Sequence, residues 1–168
     1  MRDETFSYIL HPVDLATNKV MAAAGRREVR DLVDLVTIND TILLLGAVIW
    51  AAVEKSLGFT PEGLISEIRR NSNYPAAEWR ALMTSQPLDP KEITARLRSA
   101  LDEAETFVGR MPTDKMGLLF LKDGRVEQSD PGRLEEYQTH AGQRRGQWPT
   151  SAEIMAAMFE RYKKPPSP

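Results

Sequence analysis

Cysteine is absent from this chain of 168 residues, and histidine occurs only twice. The absence of cysteine excludes disulfide bonds, thiol catalysis and zinc–thiolate sites. Neither His11 nor His140 has another metal-ligating residue nearby at the spacing of a metal site. The sequence therefore favours packing or solvent-exposed roles for the two histidines over metal binding or catalysis.

A long apolar run and a strong charge of one sign are also missing. The longest apolar stretch, residues 42–53, is too short to span a bilayer and predicts a buried helix. The formal net charge of −2 gives no general basic field for nucleic acid, although short basic clusters occur around Arg27 and Arg144. No segment resembles a signal peptide, and we expect a cytoplasmic protein that does not enter a membrane.

Apolar residues make up 42% of the chain and recur mostly at helical spacing. Thr60–Pro61 and Asp89–Pro90 are strong helix starts, because each places an N-cap side chain before a proline at the first helical position. We expect a bundle of about six helices. Helical patterns cover residues 12–24, 27–38, 42–55, 60–70, 76–83, 89–108 and, near the end, 151–162.

Strand-like patterning predicts a β-hairpin near residues 117–128. Gly117–Leu121 is a β run, Asp123–Gly124 supplies a turn, and residues 126–128 can return as a short strand. The polar stretch 130–146 predicts a loop. The fold class is therefore mainly α, a helical bundle with a small hairpin docked on it. The predicted core comprises Leu15, Val20, Val29, Leu32, Val33, Val36, Leu43, Leu44, Val48, Ile49, Leu64, Ile68, Leu97, Leu101 and Phe120, with Trp50 packed beside it.

Lys19 occupies an unusual place on the first predicted helix. At about 100° per residue, Leu15, Ala16, Ala22 and Ala23 fall on one side of that helix, and Lys19 lies among them. A lysine in an apolar face reaches water along its own stem, pairs with a carboxylate, or binds an anionic ligand. The pattern leaves these three interpretations open.

The second predicted helix carries charged residues at helical spacing. Arg27 with Asp31, and Arg30 with Asp34, form i,i+4 pairs on the side opposite the apolar stripe. One interpretation is an ordinary solvated face, where such pairs contribute about 0.2–0.5 kcal/mol each. The other is a site in which the two carboxylates orient cations and Arg30 faces a phosphate. The spacing does not distinguish the two.

Residues 10–35, LHPVDLATNKVMAAAGRREVRDLVDL, resemble one segment of a known enzyme family. The order of an L-H-P-x-D-L-A-x-N-K run, an arginine-rich turn and R-D-x-x-D is similar to that of the AbiEii/AbiGii toxin-type nucleotidyltransferases, the toxin halves of type IV toxin–antitoxin systems. The turn at residues 58–61 and the hairpin extend the resemblance over most of the chain. What the chain resembles is the C-terminal part of a DNA polymerase β-like nucleotidyltransferase.

The resemblance implies a reaction that uses Mg²⁺ and a nucleoside triphosphate. Lys19 and Arg30 would bind the nucleotide, and Asp31 and Asp34 would be catalytic residues that order the site; for Asp34, positioning the acceptor or pairing with Lys19 are further options. No metal ligand is predicted, because the family's magnesium-binding Asp-x-Asp, which follows a glycine–serine turn, is absent here. We therefore expect the chain alone neither to transfer nucleotides nor to bind Mg²⁺ and triphosphate tightly.

The resemblance also implies a division of the chain and a set of partners. Residues 1–40 would be the remnant of the nucleotidyltransferase domain, residues 41–162 a C-terminal helical domain, and residues 163–168 a disordered tail. Expected partners are an antitoxin protein, an RNA or tRNA acceptor, and a complementing catalytic segment, so that the chain is either truncated or completed in trans. The alternative is a non-catalytic helical binding or regulatory protein, or a degenerate remnant.

Overall fold

Residues 10–56, 58–84 and 87–142 are described by the structure, which is a computed structural model. Within these ranges the chain forms six α-helices and a three-stranded sheet, which confirms the mainly α fold with a small β element. The helices are α1 (Pro12–Gly25), α2 (Val29–Thr41), α3 (Leu45–Ala52), α4 (Pro61–Asn71), α5 (Ala76–Ala81) and α6 (Pro90–Arg110). The strands are β1 (Leu118–Lys122), β2 (Arg125–Val126) and β3 (Gln138–Ala141).

Side-chain caps begin the helices that follow a proline signal. The Thr60 hydroxyl accepts a hydrogen bond of 3.1 Å from the backbone N–H of Gly63 at the start of α4. The Asp89 carboxylate accepts one of 2.8 Å from the N–H of Lys91 at the start of α6. Both predicted N-caps are confirmed, because each satisfies a backbone donor that the first turn leaves without a helical partner.

The boundary between α2 and α3 differs from the prediction. α2 continues to Thr41, beyond the predicted end at residue 38, and α3 begins at Leu45 instead of residue 42. The Asn39 side chain accepts a hydrogen bond of 2.9 Å from the N–H of Leu45, which satisfies a donor at the start of α3. The predicted helix end at Lys55 is a turn of 3₁₀ helix over Val53–Lys55.

α3 lies at the centre of the core, as its apolar sequence predicts. All of its residues are buried, and it packs against α1, α6 and β1. Trp50 is 1% exposed, and its Nε1 donates a hydrogen bond of 2.8 Å to the carbonyl of Lys115, so its packing role is confirmed. One core cluster joins α1 and α2 to the later helices, and the division proposed at residue 40 stays a prediction.

The buried face of α1 is rotated relative to the prediction. Val20 is fully buried, whereas Leu15, about 140° away around the helix, is 45% exposed, so its assignment to the core is wrong. Lys19 consequently lies at the edge of the buried face rather than within it. Leu44 is 43% exposed because it is the N-cap residue of α3, and its assignment is wrong as well. Val33 is partly buried, and the other predicted core residues are buried.

The sheet contains the predicted hairpin and one strand that the sequence analysis missed. β1 is central, with β2 and β3 antiparallel on either side. Asp123 and Gly124 form the hairpin turn with φ of 50° and 75°, a pair of positive values that suits a two-residue turn between antiparallel strands. β3 pairs His140 with Leu119 where a polar loop was predicted, and β2 ends before the predicted residue 128.

Several predictions fall outside the described residues. They concern the basic cluster around Arg144, the helix at residues 151–162 and the tail at 163–168. Among the residues that are described, no single helix is long and apolar enough to cross a membrane; α2 and the segment Leu45–Lys55 satisfy that test only as a pair bent by 113°.

Candidate functional site

An ion pair between Lys19 and Asp34 joins α1 to α2. Lys19 Nζ lies 2.6 Å from Asp34 Oδ2, and the two side chains are 29% and 28% exposed. The Oδ2 atom is itself buried and receives no hydrogen bond of acceptable geometry from the described residues, so the lysine charge is its main compensation. Of the three interpretations for Lys19, the structure shows pairing with a carboxylate.

Asp31 forms a second ion pair at the other end of the R-D-x-x-D segment. Its side chain is 1% exposed, and its two oxygens accept hydrogen bonds of 2.9 Å and 3.1 Å from Nε and Nη2 of Arg26. Such a two-pronged arginine–carboxylate contact fixes the orientation of both groups. The hydrogen bond with Asp31 raises the pKa of Arg26. For Asp31, the interpretation as part of an ordinary solvated face is wrong, because the side chain is buried.

The partners of both aspartates differ from those that helical spacing indicates. Arg27 was expected to pair with Asp31, but Arg27 precedes α2 and instead lies 4.9 Å from the centre of the Tyr74 ring. Its Nη2 also donates to the backbone carbonyl of Asn73. These contacts connect the α1–α2 turn to the segment between α4 and α5. Asp31 therefore pairs with Arg26, which directly follows α1.

Arg30 is the one predicted site residue that stays on the surface. It lies in the first turn of α2, it is exposed, and it forms no ion pair with a described residue. The expected Arg30–Asp34 pair is absent because Asp34 faces Lys19. The structure therefore joins Lys19 with Asp34, engages Asp31 with Arg26, and leaves Arg30 exposed.

Asn71 is a structural member of this region that spacing could not indicate. It ends α4, is 8% exposed, and donates hydrogen bonds of 3.1 Å and 2.9 Å to the carbonyls of Ala23 and Ala24. These carbonyls are among those that the end of α1 leaves without helical donors. Asn71 therefore holds the end of α1, directly before the arginine-rich turn.

A buried charge cluster on the other side of α1 was also missed. Asp14 is 5% exposed, and its Oδ1 lies 3.4 Å from Lys55 Nζ, which donates a hydrogen bond of 2.7 Å to Asn18 Oδ1. Burial lowers the pKa of Lys55, while Asp14 opposes that shift. The predicted apolar face of α1 does not include Asp14, and the rotation of α1 explains why this carboxylate is buried.

The carboxylates of the R-D-x-x-D segment are engaged by cations of the chain itself. Within the described ranges, no three histidine, aspartate or glutamate side chains are placed to hold a metal ion together. Both oxygens of Asp31 are engaged by Arg26, and Asp34 faces an ammonium group. These carboxylates therefore do not form a magnesium site by themselves.

Comparison with known protein families, curated proteins and solved structures found no match to this chain. The resemblance noted in the sequence therefore stays a prediction.

Proposed function

We propose that this chain is the helical part of an AbiEii-like nucleotidyltransferase toxin and that its Lys19 and Arg30 contact the phosphates of the nucleotide. The observation that carries the proposal is the ion pair of Lys19 with Asp34 at 2.6 Å. It holds an ammonium group, on a side chain that is 29% exposed, at the edge of a packed helix face. Asp34 thereby orders the lysine side chain and lowers the entropic cost of binding an anion, while its own negative charge opposes that anion.

The four site residues then have different roles. Lys19 and Arg30 supply the positive charge, and Asp34 positions Lys19. Asp31 acts on the arginine-rich turn through Arg26, because neither of its oxygens is turned to solvent. Asp31 is therefore a positioning residue in this proposal.

The magnesium ligands would come from a complementing segment, because the described carboxylates do not form such a site. The exposed apolar side chains of Leu10 and Leu15, which are 55% and 45% exposed, support a surface on which such a segment packs. Leu15 precedes Lys19 by one helical turn, which places that surface beside the ion pair. An antitoxin and an RNA or tRNA acceptor remain the proposed partners.

The test is an amide NMR titration of the chain with inorganic triphosphate and with a nucleoside triphosphate, each with and without Mg²⁺. We expect weak binding, with Kd on the order of millimolar, because only two partly exposed cations contribute. Shifts should concentrate around Lys19 and Arg30. They should disappear in Lys19→Ala, and Asp34→Asn should bind more tightly, because it removes a negative charge beside the phosphate.

Lys115→Ala is the matched control, because Lys115 is also partly exposed and pairs with an acid, Asp114, away from α1. Its titration should match that of the unaltered chain. The proposal would be contradicted if the shifts persist in Lys19→Ala, or if Lys115→Ala reduces them as much as Lys19→Ala does. Tight binding that needs Mg²⁺ would contradict the view that the chain is only part of the site.

A second candidate is a non-catalytic helical binding protein. The observation that favours it is that both aspartates of the segment already have cationic partners, as in an ordinary structural network. This candidate predicts that Asp34→Asn lowers stability without changing the response to triphosphate. The same titration therefore separates the two functions.

A further inference from the structure

A groove of about 1050 Å³ runs between α5 and α6, apart from the Lys19–Asp34 pair. One wall is a single face of α6, formed by Lys91, Thr94, Ala95 and Arg98, which follow each other at helical spacing. The opposite wall includes Trp79, whose side chain is partly buried. The groove therefore combines an apolar aromatic surface with basic side chains.

The basic side chains of the groove lack the acidic partners that neighbouring arginines have. Arg80, Lys91 and Arg98 line the groove, are exposed and form no ion pair with the described residues. Arg96, on another face of α6, contacts both Asp40 and Glu92. The unpaired cations are thus collected on the groove side of the helix.

Three basic side chains and one acidic side chain line the groove. Asp89 is the one carboxylate among the residues that line it, and its Oδ1 accepts the hydrogen bond from the N–H of Lys91 that caps α6. The groove consequently presents positive charge, although the chain as a whole has a net charge of −2. By charge complementarity, its ligand is an anion.

The spacing of the cations indicates an extended anion. Lys91 and Arg98 are two helical turns apart, which separates them by about 10 Å along the axis. Extended side chains at this separation can contact successive phosphates along a polymer. Arg80 lies across the groove on α5 and adds a third point of contact.

The aromatic wall adds a second kind of contact. Trp79 packs edge-on against Tyr74, with ring centres 6.5 Å apart, and Tyr74 also lies under Arg27. Flat aromatic and guanidinium surfaces stack on nucleobases irrespective of sequence. A peptide of acidic residues alone, such as polyglutamate, would use the cations but has no ring to stack on this wall.

We propose that this groove binds single-stranded nucleic acid, with phosphates on Arg80, Lys91 and Arg98 and a base against Trp79. The proposal does not rest on the function proposed above, because neither Lys19 nor Arg30 lines the groove. It assigns a surface to α5 and α6, to which the sequence analysis gave no binding role.

The test is fluorescence anisotropy of a labelled oligouridine of about ten nucleotides with the full chain. With three phosphate contacts, a plot of log K against log salt between about 50 and 200 mM should have a slope of about −2. The double variant Lys91→Ala/Arg98→Ala should bind at least about ten-fold more weakly and reduce that slope by about 1.4. Thermal unfolding of the variant checks that the exposed substitutions leave the fold intact.

Arg125→Ala is the matched control, since Arg125 is exposed and has no ion pair with a described residue but lies on β2, away from the groove. It should bind like the unaltered chain. An abasic strand of equal length and charge should bind about ten-fold more weakly, because it cannot stack on Trp79. Unchanged binding by the double variant, an equal loss in Arg125→Ala, or equal affinity for the abasic strand or for polyglutamate would each overturn the proposal.

Discussion

Replacing Asn71 with alanine should loosen the end of α1, on which the arginine-rich turn depends. The Asn71 amide donates to the carbonyls of Ala23 and Ala24 at 3.1 Å and 2.9 Å, and all three residues are buried. Alanine removes both donors and leaves two buried carbonyl oxygens without these partners. At about 1 kcal/mol per lost hydrogen bond, plus part of the cost of an unsatisfied buried carbonyl, the free energy of unfolding should fall by about 2–4 kcal/mol.

Asn71→Asp keeps the shape of the side chain but replaces the hydrogen-bond donor with a carboxylate oxygen, which accepts. An ionised carboxylate would face two carbonyl oxygens, so this variant should be at least as unstable as Asn71→Ala at pH 7. That environment raises the pKa of the new carboxyl above its unfolded value of about 3.9. The folded state then binds the proton more tightly than the unfolded state, so the deficit should shrink as the pH is lowered toward about 4.

The assay is urea unfolding followed by far-ultraviolet circular dichroism, at pH 7 and at about pH 4.5, with the unaltered chain measured beside each variant. Asn73→Ala is the control, because its side chain is exposed in the same turn, and it should change stability by less than about 0.5 kcal/mol. A loss below about 0.5 kcal/mol in Asn71→Ala, or a more stable Asn71→Asp at pH 7, would refute the assignment of both hydrogen bonds.

Two further predictions concern packing and pH. Gly46→Ala should lower the free energy of unfolding by about 1–2 kcal/mol in chemical denaturation, because the added Cβ would lie 2.9 Å from the Phe107 ring. For the control Gly109→Ala, the added Cβ meets nothing within 4 Å, so the free energy of unfolding should stay unchanged or rise by up to about 1 kcal/mol. Equal effects of the two substitutions would contradict this packing. The Nδ1 atom of His11 accepts a hydrogen bond from the N–H of Val13, and burial lowers the pKa of His11. The stabilisation of the fold by neutral His11 is therefore present above about pH 6.5 and is lost as the pH falls through the folded pKa. His11→Asn keeps an acceptor that does not titrate, and its melting temperature should therefore fall less between pH 7.5 and pH 5; an equal fall would show that the cap is not the titrating element.

Helix starts and the central helix could be predicted because their causes are local. Thr60 and Asp89 each satisfy a donor within their own first turn, so a few residues of sequence contain the whole interaction. α3 is apolar on every side, and only burial accommodates such a helix. The missed strand β3 has the opposite character, because its polar residues are paired by β1, which lies about twenty residues earlier along the chain.

The rotation of α1 could not be predicted from its own pattern. Leu15 and the alanines define an apolar face only if each alanine is given the same weight as a larger apolar side chain. In the structure α1 turns Asp14 toward Lys55 as well, and a carboxylate can be buried on that face because a lysine from outside α1 compensates it. The pattern contains no sign of that distant lysine.

The interpretation of Lys19 depends on the same kind of distant information. Sequence places it on a helix edge and permits water, carboxylate or ligand, and the position of α2 decides among them. That position is set at the turn between the helices, where Asn71 holds the end of α1 and Arg26 holds Asp31. Asp34 follows Asp31 by nearly one turn and is thereby brought within 2.6 Å of Lys19. The ion pair is therefore a consequence of how the turn is fixed.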